Sequence, residues 1–404
     1  MKIHYHSDCI FFAGCENMIA NFLNSKKINE NFKISFSYRY SNEYHIGLSK
    51  RVFSNISLFP LFLFDIYSAK IAFLNLKLPN QFSSIIVHIL KPLFYFINII
   101  ILFFLFKKLK ADILHINNGG FPGAISCSSA AIAGKLAGIK KIIYVINNIP
   151  QNYKSPQRII DFPFDFITKS CVNYFITGSK YTSDQVKKTL KTNKTIVIHN
   201  GIFKREITET PKEYRKKLGV LDTKFIISII AVLEKRKGHI YLLKSIKLLS
   251  ETNPDILTNL VFIIEGNGEE FNNLFSFAEE NKLNQYIIFI KNEEKVFNLI
   301  NSSDLIILPS ISNEDFPNII IESMSVGKPV ISTNISGIPE QIVQMETGIV
   351  IEPKNHIEIA NSIKLLYTDA TLRNNLAEKA KKRFENLFDS NIAIDNYFNL
   401  YKKL

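Results

Sequence analysis

Residues 312–340, SNEDFPNIIIESMSVGKPVISTNISGIPE, read as a loop, a helix and a strand in succession. Pro317 suits a first helical turn, where an amide N–H would lack an intrahelical partner anyway, and Gly327 suits the left-handed residue just past a helix end. The spacing predicts a helix over 317–326, with Ile319, Ile320, Ile321 and Met324 turned to a core, and a short buried strand over 329–333. This is a unit of an α/β domain. Two carboxylates bracket the helix start, Glu314 in the loop and Glu322 within the helix. Eight helical residues cover about 12 Å, so the pair can hold opposite ends of an extended ligand. Between them the amides of Asn318, Ile319 and Ile320 lie at the positive end of the helix dipole, which predicts a phosphate-binding turn.

Strand and helix patterns alternate on both sides of this stretch. Upstream, 225–233, 260–265 and 305–308 read as buried strands, and 357–366 and 372–384 read as closing helices downstream. In the first half, 112–116 reads as a strand ending in Asn117-Asn118-Gly119-Gly120, 124–136 as a helix of small residues, and 141–146 and 172–177 as further strands. Ligands of open parallel sheets gather at such strand ends. The run Ile196-Val197-Ile198-His199-Asn200-Gly201 separates the two series. Between 24 and 110 the chain supports nothing beyond composition.

The 404 residues, 47% of them apolar, exceed what one hydrophobic core serves and predict two domains. Charge is unevenly placed: residues 1–200 hold 24 basic and 9 acidic side chains, whereas 201–404 hold 25 and 27. The basic half should meet something anionic, and its apolar runs favour an anionic membrane surface over nucleic acid. One such run, 92–106 (PLFYFINIIILFFLF), ends at Lys107, Lys108 and Lys110 and falls short of the roughly 20 residues a spanning helix needs. It reads either as an interfacial helix or as a core helix of the first domain. The four cysteines lack C-x-x-C spacing and nearby histidine pairs, so neither a disulfide framework nor a zinc site is suggested. The opening MKIHYHSDCI has no apolar core of a secretory signal, which predicts a cytoplasmic protein, peripheral at the inner face of the membrane.

Residues 312–340 resemble the donor-site motif of the retaining glycosyltransferase family four, S-x-x-E-G-F-P-N-x-x-x-E-A-x-A-x-G-x-P-V…G-G-x-x-E. The first glycine is Asp315 in this chain, and the paired glycines are Ser336-Gly337. Further elements fall in family order. Ala13-Gly14-Cys15-Glu16 resembles a G-G-x-E loop, 196–201 resembles the inter-domain signature, and the run ending Lys235-Arg236-Lys237-Gly238 resembles G-R-L-x-x-x-K-G, with Val232 at the arginine position. Gly266-Asn267-Gly268 matches a G-x-G turn.

The resemblance implies a GT-B fold, two Rossmann-like domains facing across a cleft. An acceptor-binding domain would span 1–199, a donor-binding domain 200–385, and a terminal helix over 386–404 would cross back to the first. It implies that Glu314 contacts the donor sugar and Glu322 the ribose, with Gly14, Arg236, Lys237, Gly266, Phe316, Pro317, Asn318 and Ile319 completing the donor site. Glu16, Asn118, Gly119 and Asn147 would line the acceptor side. Lys237 would stabilise charge building on the departing phosphate. His115 either orients a substrate or serves the core, and Asn147 stands where many members of the family carry a histidine.

The expected activity is retaining sugar transfer from a nucleoside diphosphate sugar to a lipid-linked or glycan acceptor of a bacterial envelope. No cofactor is expected, and no metal, since no D-x-D occurs. A nucleotide-sugar epimerase on the same fold, or a lapsed transferase acting as a scaffold, are the alternatives. Oligomeric state is not set by the sequence.

Overall fold

The computed structural model describes residues 1–404 apart from Phe11, Ala13 and the side chain of Cys15. The Ala13 and Cys15 part of the proposed N-terminal loop therefore lies outside the described residues. The chain divides into two units, Met1–Asn200 with Ala393–Leu404, and Gly201–Ile392. The first division falls at the expected linker. The return to the first unit comes at Ala393, later than the 386 expected.

The first unit is built on a seven-stranded sheet in the order β3-β2-β1-β4-β5-β6-β7, all parallel. Its strands are β1 Lys2–Ser7, β2 Lys33–Arg39, β3 Ser57–Leu61, β4 Ile113–Asn118, β5 Lys141–Ile146, β6 Tyr174–Thr177 and β7 Thr195–Val197. The second unit has a six-stranded parallel sheet in the order β10-β9-β8-β11-β12-β13. These strands are β8 Phe225–Ile230, β9 Leu260–Glu265, β10 Ile287–Ile290, β11 Leu305–Leu308, β12 Val330–Thr333 and β13 Ile349–Ile351. Both sheets start centrally and wind outward in each direction, the doubly wound Rossmann order. A crevice for ligand is expected where the winding reverses, beyond the carboxyl ends of β1 and β4 in one unit and of β8 and β11 in the other.

The central strands form because they are β-branched, apolar and covered on both faces. β8, FIISII, and β11, LIIL, are buried at every residue. In the first unit the helix Gly14–Asn24 and the C-terminal helix Ser390–Lys403 cover one side of the sheet, bringing Met18, Phe22, Tyr397 and Tyr401 together over Tyr5. A 30-residue helix, Asn80–Leu109, covers the other side together with Ile125–Leu136. The 92–106 run lies within this long helix, which is both core and surface: Phe94, Leu102 and Phe106 are buried, while Leu93, Phe96 and Phe104 are exposed.

Candidate donor site at the sheet switch point

Beyond the carboxyl end of β8 the chain makes one 3-10 turn, Lys235–Lys237, closed by Gly238 at φ 74°. A Cβ at Gly238 would stand 1.9 Å from the Pro309 carbonyl oxygen, so only glycine lets this turn press against the loop leaving β11. Ile311 N–H donates to the Arg236 carbonyl at 2.7 Å and locks the two loops together. The contact sets Lys237 directly against Glu314, and the lysine ammonium donates to the Glu314 carboxylate. Ser310 Oγ donates to the same oxygen at 2.8 Å, and Arg236 Nη1 lies 3.6 Å from it. Arg236 is further held by Glu234 at 2.5 Å and by the Asn313 carbonyl at 3.2 Å. Glu314 is nearly buried. Two cations, a hydroxyl and a carboxylate thus converge at the switch point, where sequence spacing alone gave separate motifs.

The helix Asn318–Val326 starts one residue later than expected, with Pro317 as its N-cap, and ends at Gly327 in the left-handed conformation. Ile320 N–H donates to the Pro317 carbonyl at 3.2 Å, so its amide is spent within the turn. That corrects its assignment to phosphate. Glu322 is only partly buried, and no hydrogen bond or ion pair is made by its carboxylate among the described residues. Burial raises its carboxyl above the usual range while nearby Arg205 opposes the shift. A carboxylate so placed is a ready acceptor for ligand hydroxyls.

Phe316 is a correction. Its ring is buried edge-on against Phe388 at 5.5 Å, so it packs the core and positions the loop from beneath. Gly266, at φ 143°, has no room for a Cβ, which would lie 2.1 Å from the Ala231 carbonyl, and its part is to bring the β9 turn against the end of β8. Val232 at the family's arginine position is exposed. The sequence reading gave no role to His239, the residue after Gly238. It is buried with neither ring nitrogen partnered, and burial and then the Lys237 charge lower its pKa to about 3. An unpaired neutral ring beside a phosphate-type turn has no signal in sequence, because the same residue on a helix surface reads identically.

In the first unit the corresponding crevice is hydrogen-bonded, and Asp8, the residue after β1, is buried in an ion pair with Arg39 at 2.6 Å. Ser7 Oγ donates to Glu16 at 3.1 Å and to the Asn117 carbonyl at 3.3 Å, and Asn147 Nδ2 reaches Asn117 Oδ1 and the Asn118 carbonyl, both at 2.9 Å. The structure thus brings Glu16 and Asn147 to one place. Gly14 opens the helix that carries Glu16. Glu16 itself is buried. Asn118 is a correction: its amide donates to the Pro122 carbonyl at 2.8 Å and to Tyr144 Oη at 2.6 Å, and its oxygen accepts from Ala124 N–H at 3.1 Å, so it shapes the loop instead of facing a ligand. Gly119 is exposed on that loop, with open space around a would-be Cβ. His115 is corrected as well. Its ring is fully buried against Tyr5 and Tyr397, it hydrogen-bonds Tyr401 Oη at 2.6 Å, and desolvation lowers its pKa to about 3. No substrate reaches a ring enclosed in that way.

Residues 211–383 match the family described as glycosyl transferases group 1. The second unit is a group 1 glycosyl transferase domain. Among curated relatives, the N-acetyl-alpha-D-glucosaminyl L-malate synthase of Bacillus anthracis is 27% identical over 54% of this chain and 56% of that protein, so the chain spans little more than half of its length. The UDP-Gal:alpha-D-GlcNAc-diphosphoundecaprenol alpha-1,3-galactosyltransferase of Escherichia coli is 23% identical over 75% of this chain and 78% of its own. Among solved structures, HepE of Anabaena in complex with UDP-glucose covers 100% of both chains at a TM-score of 0.77 and 17% identity, a likeness of fold. The cluster of Arg236, Lys237, Ser310, Glu314 and Glu322 lies wholly within, or within one element of, the transferase domain's central switch point.

Proposed function

We propose that the protein is a retaining, metal-independent glycosyltransferase that moves a sugar from a nucleoside diphosphate sugar to a lipid-linked or glycan acceptor in envelope polysaccharide synthesis, at the inner face of the cytoplasmic membrane. The observation that carries this reading is the convergence of Lys237, Arg236 and Ser310 on Glu314 beside a helix N-terminus, with the unpartnered Glu322 in the same helix. The UDP-glucose held by HepE and the diphosphoundecaprenol in the name of the galactosyltransferase support the donor and the acceptor class.

In this mechanism the diphosphate takes the place beside Lys237 and Arg236, and Glu314, freed of part of its pairing, faces the donor sugar. The bond from the anomeric carbon to the β-phosphate oxygen breaks as the acceptor hydroxyl oxygen bonds to the same face. The acceptor proton passes to the departing phosphate oxygen. Lys237 and the helix amides stabilise the charge gathering there. His115 is too deeply enclosed to relay a proton, and Asn147 is no base, which favours proton transfer to the leaving phosphate.

The test is a screen of UDP- and GDP-sugars, with NMR of the fresh product. Retention of the anomeric configuration and full activity in excess EDTA are expected, and inversion or a metal requirement would overturn the mechanism. Glu322→Ala should weaken nucleoside diphosphate binding about tenfold or more, as loss of a charge-assisted hydrogen bond does, measured by calorimetry. Product from donor alone would point to an epimerase.

A further inference from the structure

The long helix Asn80–Leu109 is apolar enough and long enough to cross a membrane, yet its inner side is tied into the first unit. Lys91 on that side pairs with Asp161 at 2.5 Å, and Arg158 pairs with Asp161 at 2.9 Å and with Asp165 at 2.7 Å, all four nearly or fully buried. Tyr95 stacks on Phe164 at 3.9 Å, and the Asn98 amide both donates to and accepts from the Phe64 backbone at 2.9 Å. Spanning would strip these charges and amides of their partners in hydrocarbon.

The outer side is different. Ile85, Ile89, Leu93, Phe96, Ile100 and Phe104, in steps of three and four residues, are each more than half exposed. They form one stripe about 28 Å long. Two of the helices packed against the long helix, Ile66–Asn75 and Pro156–Cys171, continue the apolar surface, with Tyr67 and Ile71 on one, Phe162 and Phe166 on the other, all exposed. An exposed apolar surface of this extent marks an interaction site.

Charge identifies the occupant. The long helix and Ile66–Asn75 contain no acidic residue, and the two acids of Pro156–Cys171, Asp161 and Asp165, are buried in the pairs above. The charges left at the surface of these helices are cations, among them Lys107 and Lys108 at the end of the stripe. Two copies of such a face would repel each other, whereas an anionic lipid surface complements it.

We propose that this three-helix face docks the protein on anionic bilayers, with the long helix lying in the membrane plane and its stripe in the boundary between headgroups and acyl chains. The inference rests on the membrane reading above and takes it to a named face and an orientation.

The chain has no tryptophan, so a single introduced indole reports its own depth. Ile89→Trp, Phe96→Trp and, as a control in the second unit, the exposed Leu221→Trp are mixed with phosphatidylglycerol–phosphatidylcholine vesicles carrying brominated acyl chains. Emission from the first two shifts to the blue and is quenched, while Leu221→Trp stays unchanged. Binding weakens in high salt and on pure phosphatidylcholine, and Lys107→Gln with Lys108→Gln lowers partitioning on the order of tenfold. Vesicle binding without quenching at positions 89 and 96 overturns the face. Release of the protein at alkaline pH supports in-plane docking, and retention overturns it. A blue shift without vesicles that grows with protein concentration, together with dimers in sedimentation, overturns the lipid occupant in favour of a second copy. UDP-sugar binding, followed on the same variants by calorimetry, separates the two readings: its loss in the wild-type chain strikes the transferase, and its persistence without vesicle binding strikes only the face.

Discussion

Where β8 and β11 part, the second unit sets Arg236 and Lys237 together on Glu314, whereas where β1 and β4 part the first unit gathers neutral Ser7, Asn117 and Asn147 near Glu16 and closes Arg39 on Asp8. The winding order is the same in both. A diphosphate demands cations and amides at fixed points, and few residue types supply them. An acceptor hydroxyl demands shape and neutral hydrogen bonds, which many residues supply. On the proposed function, with a diphosphate at the second crevice and an acceptor hydroxyl at the first, the difference teaches that one topology carries a legible site or an illegible one according to the charge of its ligand.

Acid should separate the units most. His4, His6 and His115 of the first unit are each lowered to about 3 from 6.5, chiefly by burial. A histidine kept neutral by the fold contributes stability that is present above its unfolded pKa of 6.5 and is lost as pH falls toward 3, on the order of 2 kcal/mol each by pH 5. Asp165 runs the other way. Burial raises it to about 6 against the pull of Arg158, so its contribution is present below 3.8, is lost as pH rises through 6, and returns part of the loss on acidification. In the second unit His239 behaves like the three histidines. Hydrogen exchange followed from pH 7 to 5 should show the first unit opening before the second, and simultaneous opening would erase this contrast.

Asp161→Ala comes next in size. It strips Lys91 of its carboxylate partner and Arg158 of one of two, and loss of one member of a buried pair costs about 3–5 kcal/mol. Denaturant titration should show that drop, and an unchanged midpoint would mean that the long helix is held by packing alone. Lys237→Ala should lower turnover about 100-fold, and Asn147→Ala, at the other crevice, less than about tenfold. Equal effects would break the comparison. The smallest effect is expected at Ser336, which adopts φ 51° where the family pattern has glycine. Ser336→Gly should stabilise the second unit by about 1 kcal/mol, and a loss of stability would show that the serine side chain matters more than the backbone conformation.

Legibility followed burial. β9 and β11 match the sequence reading because two covered faces leave an uninterrupted run of β-branched and apolar residues. β2, KISFSYR, and β3, SLFPL, lie toward one edge of the first sheet, with Pro60 in the outermost strand, and they mix polar and apolar residues too freely to declare themselves. By sequence the apolar run of the long helix reads as 92–106, because Lys91 looks like an end. In the fold that lysine is an interior charge, neutralised by an aspartate seventy residues on, which no local pattern reveals. At the site, Lys237 and Glu314 were readable as residues, but their pairing depends on Gly238 meeting Pro309. Sequence leaves His115 open between substrate and core and points Phe316 the wrong way, because side-chain direction at a loop or strand end is decided by the partner helix or ring, here Tyr401 and Phe388.

The C-terminal helix gives the first unit an unusual history during synthesis. Tyr401 closes over Tyr5 and His115, so the two ends of the chain complete one core. A ribosome that has finished residue 200 must still make the second unit before Ala393–Leu404 appear, a wait of about 10–40 s at bacterial speeds of 5–20 residues per second. Throughout that interval the floor beneath Tyr397 and Tyr401 stands open while the second unit, contiguous in sequence, is free to fold. The second unit therefore matures first, and the unit that waits is the one bearing the apolar helix, so the nascent chain passes through a stage at which chaperones or lipid have something to hold.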